Sequence, residues 1–278
     1  MDHQRRVRRS LAGLLAFACA FASTLALPAS AACSRPILVP VSAIGKSVII
    51  KGEGISGAYP DLLRDLGAKY GCDFQFTAVP RARQEALFAT AKADLLVPAT
   101  RTPRRDALGY FVPVISTRAT LISIDAKRAA IHTMGELREQ KSLRIALVRG
   151  FDYGPAYQAL VQELTAQGRL YLEPDAIAVA RLINGGMADA TIMAPMIFAG
   201  AVQDDGRVEA MLAKMRIEAV EELPWTESGL YISRSSVSKK DRAALEAMLA
   251  AAVKSGAAWD AYKRFYSPDV LNLSVRPR

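Results

Sequence analysis

The chain has 278 residues, of which 36 are Lys or Arg and 27 are Asp or Glu, so its formal net charge is +9 at pH 7. The basic residues are scattered rather than clustered among aromatic residues, which argues against a nucleic-acid-binding protein. Beyond the first 31 residues only one histidine remains, His132, so a histidine-based metal site or a Ser-His-Asp triad is hard to build. We therefore predict no metal, no cofactor and no catalytic residue.

The N-terminal segment has the three parts of a signal peptide. Four arginines within the first nine residues precede an apolar run over 11–27, and Ala29 and Ala31 supply small residues at the cleavage site. The run is short for a membrane span, and Pro28 ends it. We predict a cleaved signal peptide over residues 1–31 and hence export to the periplasm.

Beyond residue 31, strand-like and helical patterns alternate along the chain. Strands separated by helices are typical of βαβ units, and they predict an α/β protein with mainly parallel sheets. The length fits two modest domains. Strands are predicted at 36–41, 74–79, 95–97, 143–148 and 190–193, and helices at 59–70, 81–91, 154–167, 176–183, 239–255 and 257–266.

Two cysteines precede predicted strands. Cys33 lies just before the first strand and Cys72 just before the second, with one helix between them. If the two strands are parallel neighbours, both cysteines lie at the same end of the sheet, and a disulfide between them is expected in an oxidising compartment. Two free thiols and a lipidated Cys33 are the alternatives.

The stretch TRTPRR at 100–105 follows the apolar run 94–99, which predicts a buried strand. Thr102 followed by Pro103 is typical of a helix N-cap with proline at the first helical position, so Arg105 falls in the first turn. A guanidinium and free backbone N–H groups at the carboxyl end of a strand suit a carboxylate. An arginine-rich surface turn is the alternative reading of the same residues.

The ordered set of motifs resembles the extracellular solute-binding proteins of the polar amino-acid type, which are periplasmic receptors of ABC importers. The motifs are GAYPDLL at 57–63, KAD at 92–94, TRTPRR at 100–105, MGEL at 134–137, LRIALVRG at 143–150 and NGGMADA at 184–190.

The resemblance implies an α/β, two-lobed periplasmic-binding-protein fold of type II, with two hinge crossings and a ligand cleft between the lobes. The extended stretches 118–124 and 228–233 would be the crossings. Lobe 1 would comprise residues 32–120 and 227–278, and lobe 2 residues 121–226. The implied partners are a small-molecule carboxylate ligand and a permease in the inner membrane, with the protein a monomer that binds no nucleic acid.

The resemblance also implies ligand-binding residues in lobe 1. Arg105 would hold the ligand carboxylate, Thr100 would add a hydroxyl, and the backbone near Pro98 would add polar groups. Helix capping and turn formation are the structural alternatives for these residues. The ring of Tyr59 would close the cleft, although an aromatic at a helix start is as often simply packed.

In lobe 2 the implied ligand-binding segment is Gly150, Phe151 and Asp152, between a strand and a helix. The family usually has Ser or Thr after this glycine, and Asp152 is a departure from that pattern. Because Asp is a good N-cap, its side chain could instead close its own helix.

Two further departures concern the ligand's charge. The acidic residue that pairs with the ligand ammonium in the family's amino-acid binders is replaced here by Ala194. Arg81 stands where many relatives carry a stacking aromatic residue. Either Asp152 or Glu227 replaces the missing acid, or the ligand is an anionic small molecule rather than an ordinary amino acid.

These features predict a periplasmic binding protein that captures a small carboxylate-bearing solute, an amino acid or a related organic acid, for an ABC importer. The alternatives are a dehydratase-like enzyme on the same fold and a ligand-binding partner of a sensor kinase. No pair of residues has the spacing of a catalytic acid and base, so we expect no enzyme.

Overall fold

The computed structural model describes residues 33–203 and 205–278, and the predicted signal peptide lies outside them. None of the helices in these residues combines the length and the apolar character needed to cross a membrane. The strands are β1 Ile37–Val41, β2 Ile49–Lys51, β3 Gly54–Ser56, β4 Phe74–Ala78, β5 Leu95–Thr100, β6 Gly109–Thr117, β7 Thr120–Ile124, β8 Ile145–Val148, β9 Leu170–Glu173, β10 Ala190–Met193, β11 Met215–Glu218, β12 Thr226–Ser233 and β13 Val275–Pro277. The helices are α1 Ala58–Tyr70, α2 Arg81–Ala89, α3 Pro103–Asp106, α4 Met134–Glu139, α5 Pro155–Ala166, α6 Ala176–Asn184, α7 Pro195–Val202, α8 Lys239–Lys254, α9 Ala257–Lys263 and α10 Pro268–Ser274.

Two lobes form around separate sheets. In the first lobe β13, β6, β12 and β5 form a four-stranded sheet in that order, and β1 pairs with β4 beside it. The amide of Asp94 donates to the carbonyl of Leu38 at 2.9 Å, which joins β1 to the start of β5. In the second lobe five strands lie in the order β11, β7, β10, β8, β9. Each lobe buries its own large apolar cluster, so each has a core.

The chain crosses between the lobes twice. It leaves the first lobe between Thr117 at the end of β6 and Thr120 at the start of β7. It returns between Glu218 at the end of β11 and Thr226 at the start of β12. The two-lobed α/β fold with two crossings is confirmed. The stretch 228–233, expected to be the second crossing, lies instead inside β12, and the crossing precedes it.

The prediction of mainly parallel sheets is correct for only part of each lobe. Parallel pairs join β1 with β4 and β8 with both β9 and β10. The strands next to the crossings pair antiparallel, because β12 returns from the second lobe and inserts between β5 and β6. β7 likewise pairs antiparallel with β10 and β11. Periodicity identifies strands, but it carries no information on this long-range insertion.

Strand β5 is longer than predicted. The expected end at residue 97 assumed that Pro98 stops the strand, whereas pairing with β12 continues to Thr100. The register between β5 and β12 shifts at Pro98, between the pairing of Gly229 with Ala99 and the pairing of Tyr231 with Leu96. Proline lacks a backbone N–H, and it is tolerated in edge strands and at such irregularities.

Cys33 and Cys72 form a disulfide, with their Cα atoms 4.8 Å apart. β1 and β4 are parallel neighbours, with Ile37 opposite Phe74, so both cysteines lie at the same end of the pair, as the sequence predicts. The bond closes a loop that contains all of α1.

We expect this disulfide to stabilise the folded protein by restricting the unfolded chain. Because the bridged residues are 39 positions apart, a Cys33→Ser/Cys72→Ser variant should lose about 2–4 kcal/mol of unfolding free energy. Urea unfolding of oxidised and variant protein measures the difference. Thiol titration of denatured protein purified without reductant should find no free thiol from this pair, and two titratable thiols would contradict the bridge.

Candidate functional site

A cavity of about 50 Å³ lies between the two lobes. By volume it has room for about three or four water molecules, so a solute enclosed here is small. Its lining residues come from both lobes and are Ile44, Ser47, Arg81, Pro98, Ala99, Thr100, Arg105, Ile115, Thr117, Phe151, Asp152, Tyr153, Ala194, Met196, Ile197, Ser228 and Tyr262.

Arg105 reaches the cavity through the local structure that the sequence predicts. The side chain of Thr102 accepts from the Arg105 amide at 3.4 Å, and Pro103 occupies the first helical position of α3. The Arg105 side chain is only 1% exposed. Its Nη1 donates to the carbonyl of Thr100 at 2.8 Å, so the last residue of β5 fixes the guanidinium against the strand end.

The guanidinium of Arg105 faces a carboxylate of the protein itself, Glu85 on α2. Arg105 Nη2 and Arg81 Nη2 each donate to Glu85 Oε1 at 2.7 Å, and Arg104 Nη2 donates to Oε2 at 3.0 Å. Burial acts to raise the pKa of Glu85, but the charges of Arg81 and Arg105 outweigh it and lower the pKa to about 2. Glu85 is therefore ionised at neutral pH.

Arg81 is the second buried guanidinium of the cavity and is 4% exposed. Its Nη1 donates to Gln84 Oε1 at 3.0 Å and to the carbonyl of Pro98 at 2.9 Å. Its Nε is buried and has no hydrogen-bond partner within the described residues. Burial lowers the pKa of Arg81 to about 10, and repulsion from Arg105 adds to that effect although Glu85 opposes it. The positive charge of this end of the cavity is thus incompletely compensated.

Asp152 carries the contacts from the second lobe. Its carbonyl accepts from Arg105 Nη1 at 3.4 Å, and its Oδ2 accepts from Arg104 Nε at 3.2 Å. Its Oδ1 accepts from the amide of Gly154, the residue that precedes α5. The structural alternative for Asp152, that it caps its own helix, is therefore not met: the N-cap of α5 is Gly154, two residues later, and no side chain caps it. The Asp152 carboxylate instead fixes the turn before the helix and joins the lobes.

Gly150 contacts the first lobe directly. Its φ is +92°, which favours glycine, and a Cβ here would lie 3.1 Å from the backbone nitrogen of Ala82 on α2. Gly150 does not line the cavity, whereas Phe151 and Asp152, from the same predicted segment, do. Gly150 therefore allows the lobes to approach closely.

Ala194 lies in the cavity wall, as the resemblance implies, but neither acid proposed as its substitute is a free group there. Asp152 is paired with Arg104. Glu227 is outside the wall, with Oε1 at 3.0 Å from Arg278 and Oε2 at 3.7 Å from Arg101. Within the described residues, an ammonium in the cavity finds no uncommitted carboxylate.

Tyr59 does not close the cleft, contrary to the expectation from the resemblance. Its ring is 1% exposed and packs edge-on against Tyr262 in the core of the first lobe, with ring centroids 5.7 Å apart. Tyr262, on α9, lines the cavity instead. In the first lobe, helix α9 thus supplies the aromatic residue of the wall, beside Phe151 and Tyr153 from the second lobe.

The structure brings most predicted site residues to one cavity, although their binding roles stay predictions. Those in its wall are Pro98, Thr100, Arg105, Arg81, Phe151, Asp152 and Ala194. Sequence reasoning missed Glu85, even though it follows Arg81 by four residues on a helix, a spacing at which opposite charges pair. No three His, Cys, Asp or Glu side chains of the described residues are grouped as a metal site.

Comparison with known proteins identifies the fold. No protein-family model and no curated protein sequence matches this chain. Solved structures do match across most of it. A histidine kinase sensor domain with similarity to periplasmic binding proteins shares 17% identity at a TM-score of 0.68, covering 84% of this chain and 96% of that one.

Two further solved structures are similar to the same degree. The arginine-, lysine- and histidine-binding protein ArtJ of Geobacillus stearothermophilus shares 15% identity at a TM-score of 0.68, with coverage of 86% of this chain and 99% of ArtJ. EhuB in complex with hydroxyectoine shares 14% identity at a TM-score of 0.67, with coverage of 86% of this chain and 91% of EhuB. At these identities the likeness establishes the architecture alone, and the chain has the periplasmic-binding-protein fold seen in the substrate-binding proteins of amino-acid ABC transporters.

Proposed function

We propose that this protein is a periplasmic solute-binding protein that encloses a small carboxylate-bearing solute between its lobes and presents it to an ABC importer. The observation that carries the proposal is a pair of buried guanidiniums, Arg81 and Arg105, in the wall of the cavity between the lobes. An anion placed beside them offsets charge that the protein compensates only in part.

The carboxylate would bind where the existing contacts are weakest. The bond from Arg105 Nη1 to the Asp152 carbonyl is long, at 3.4 Å, and Arg81 Nε has no partner among the described residues. A carboxylate oxygen can therefore gain from both guanidiniums at little loss to the protein's own bonds. Thr100 and Ser228, both in the wall, add hydroxyl groups within the same cavity.

Binding without chemistry is sufficient for this role, because the lobes need only differential affinity for solute between their open and closed arrangements. The charged side chains of the cavity are already engaged with one another. An enzyme would need an acid or base free to exchange a proton with its substrate. Asp152, the one carboxylate in the cavity wall of the described chain, is bonded to Arg104 and Gly154.

A sensing role is the second candidate, and the similarity to a histidine kinase sensor domain favours it. The ligand and the cleft would be the same, and the partner would be a receptor kinase instead of a permease. Deleting the gene would abolish uptake of labelled solute in the transport case, and would leave uptake intact but remove solute-dependent kinase phosphorylation in the sensing case.

The first prediction concerns Arg105. Arg105→Ala should lower the binding free energy for a small carboxylate by about 2–5 kcal/mol, because the ligand loses its buried charged partner. Arg105→Lys should lose affinity as well, since an ammonium cannot reproduce the planar guanidinium contacts. Calorimetric titration measures both. Arg138→Ala is the control, because Arg138 pairs with Glu163 on the surface of the second lobe.

The variants also need a stability measurement, because Arg105 supports the fold through Thr100 and Glu85. We expect Arg105→Ala to unfold at lower urea concentration than the Arg138→Ala control. Unchanged affinity in a folded Arg105→Ala protein would place the binding site elsewhere.

The second prediction concerns ligand class. Because Ala194 replaces an acid and Arg81 adds a cation, small carboxylates without an amino group should bind at least as tightly as lysine or arginine. Parallel calorimetric titrations with these two groups of compounds compare the affinities. Tight binding of lysine or arginine, with no response to any acid that lacks an amino group, would refute the ligand class and point to Asp152 as the ammonium partner.

A further inference from the structure

Five charged side chains form one bonded cluster at the cavity. Arg81, Arg104 and Arg105 supply three positive charges, and Glu85 and Asp152 supply two negative ones. Arg104 is half exposed, whereas Arg81 and Arg105 are buried. The cluster therefore keeps an excess of one positive charge.

Glu85 is the centre of this cluster. One carboxylate accepts from three guanidiniums, at 2.7 Å from Arg81, 2.7 Å from Arg105 and 3.0 Å from Arg104. Its side chain is 10% exposed and is absent from the cavity wall. Glu85 thus affects a bound solute through the arginines rather than by contact.

Apart from Arg81 and Arg105, the cavity wall formed by the described residues contains no cation. Arg81, Arg105 and Asp152 are the charged side chains among the described residues that line the cavity. Tyr262 stays neutral, since burial, with a contribution from Tyr59, raises its pKa well above the usual value. A second carboxylate on the solute would be buried without a partner, which is costly.

We propose that Glu85 sets the charge of the solute: it offsets one of the two cavity guanidiniums and so makes the site selective for carboxylates with a single net negative charge over dicarboxylates of similar size. The proposal rests on the proposed function and specifies the ligand class of the same site. Asp152 cannot take this role alone, because its carboxylate is committed to Arg104 and to the Gly154 amide.

Pairs of acids with equal chain length test the proposal: butyrate against succinate, and propionate against malonate. Calorimetric titrations at pH 7.5, in a buffer without carboxylate or phosphate, give the ratio of dissociation constants within each pair. The unaltered protein should bind the monoanion at least tenfold more tightly. Glu85→Gln should shift the ratio by at least tenfold toward the dianion, because two guanidiniums then lack a carboxylate partner.

A compensating variant separates charge from local packing. Arg104 does not line the cavity, so Glu85→Gln/Arg104→Gln restores the cluster's single excess charge without removing a ligand contact. We expect the double variant to prefer the monoanion at least threefold more strongly than Glu85→Gln does. It should not regain the full preference of the unaltered protein, because Arg104 is half exposed and screened by solvent. Glu163→Gln is the matched control, since it removes one carboxylate from a surface ion pair and should leave the ratio unchanged.

The outcomes distinguish this inference from the proposed function. If the unaltered protein binds none of the four acids, the proposed ligand class is wrong. Binding of the monoanions with a ratio that Glu85→Gln leaves unchanged would overturn the role of Glu85 alone. If Glu85→Gln shows no cooperative urea transition, Arg104→Gln alone decides: it should weaken butyrate at least threefold relative to neutral butyramide, and an unchanged ratio would overturn the proposal.

Discussion

The contact between the two lobes depends on a buried arginine whose N–H groups donate to three different parts of the protein. Arg105 is bonded to Thr100 at the end of β5, to Glu85 on α2 and to the carbonyl of Asp152 in the second lobe. A guanidinium that is 1% exposed is tolerated only with such partners, because an unpaired buried charge costs several kcal/mol. The same bonds hold α2 against the strand end and bring the second lobe to it, so cavity shape and charge compensation have one origin.

The features that the sequence predicts correctly have local chemical signals. Thr102 followed by Pro103 starts α3 for two reasons. The threonine side-chain oxygen accepts from the backbone amide of Arg105, three residues later, and the missing N–H of proline costs nothing at the first helical position. The bond between Cys33 and Cys72 follows from two strands with a helix between them. The insertion of β12 between β5 and β6 has no such signal. Along the sequence, β12 is separated from both partner strands by more than a hundred residues, which include the whole second lobe.

The site residues also divide into those that the sequence identifies and those that only the structure reveals. Arg105 is identifiable because it stands in the first turn of a helix that follows a strand, whereas Arg81 is identified by the resemblance, which places it where many relatives carry a stacking aromatic residue. Glu85 cannot be identified in this way. Its spacing from Arg81 indicates an ion pair on one helix, but it does not predict the second ion pair with Arg105. The choice between Tyr59 and Tyr262 is likewise hidden, because the two rings pack against each other and only the position of α9 decides which one reaches the cavity.

Closure and charge are coupled at Asp152, which contacts two successive arginines of the first lobe. Its carboxylate pairs with Arg104 and its carbonyl accepts from Arg105, so part of the lobe contact forms without a solute. A solute shifts the balance between open and closed arrangements only by the contacts that differ between them. The bond that a solute can replace is the long one from Arg105 to the carbonyl of Asp152. The ion pair between Arg104 and Asp152 can persist beside a bound anion. The protein's own charges thus supply part of the contact between the lobes, and the proposed monoanion would add to it by offsetting the one positive charge that Glu85 and Asp152 leave uncompensated.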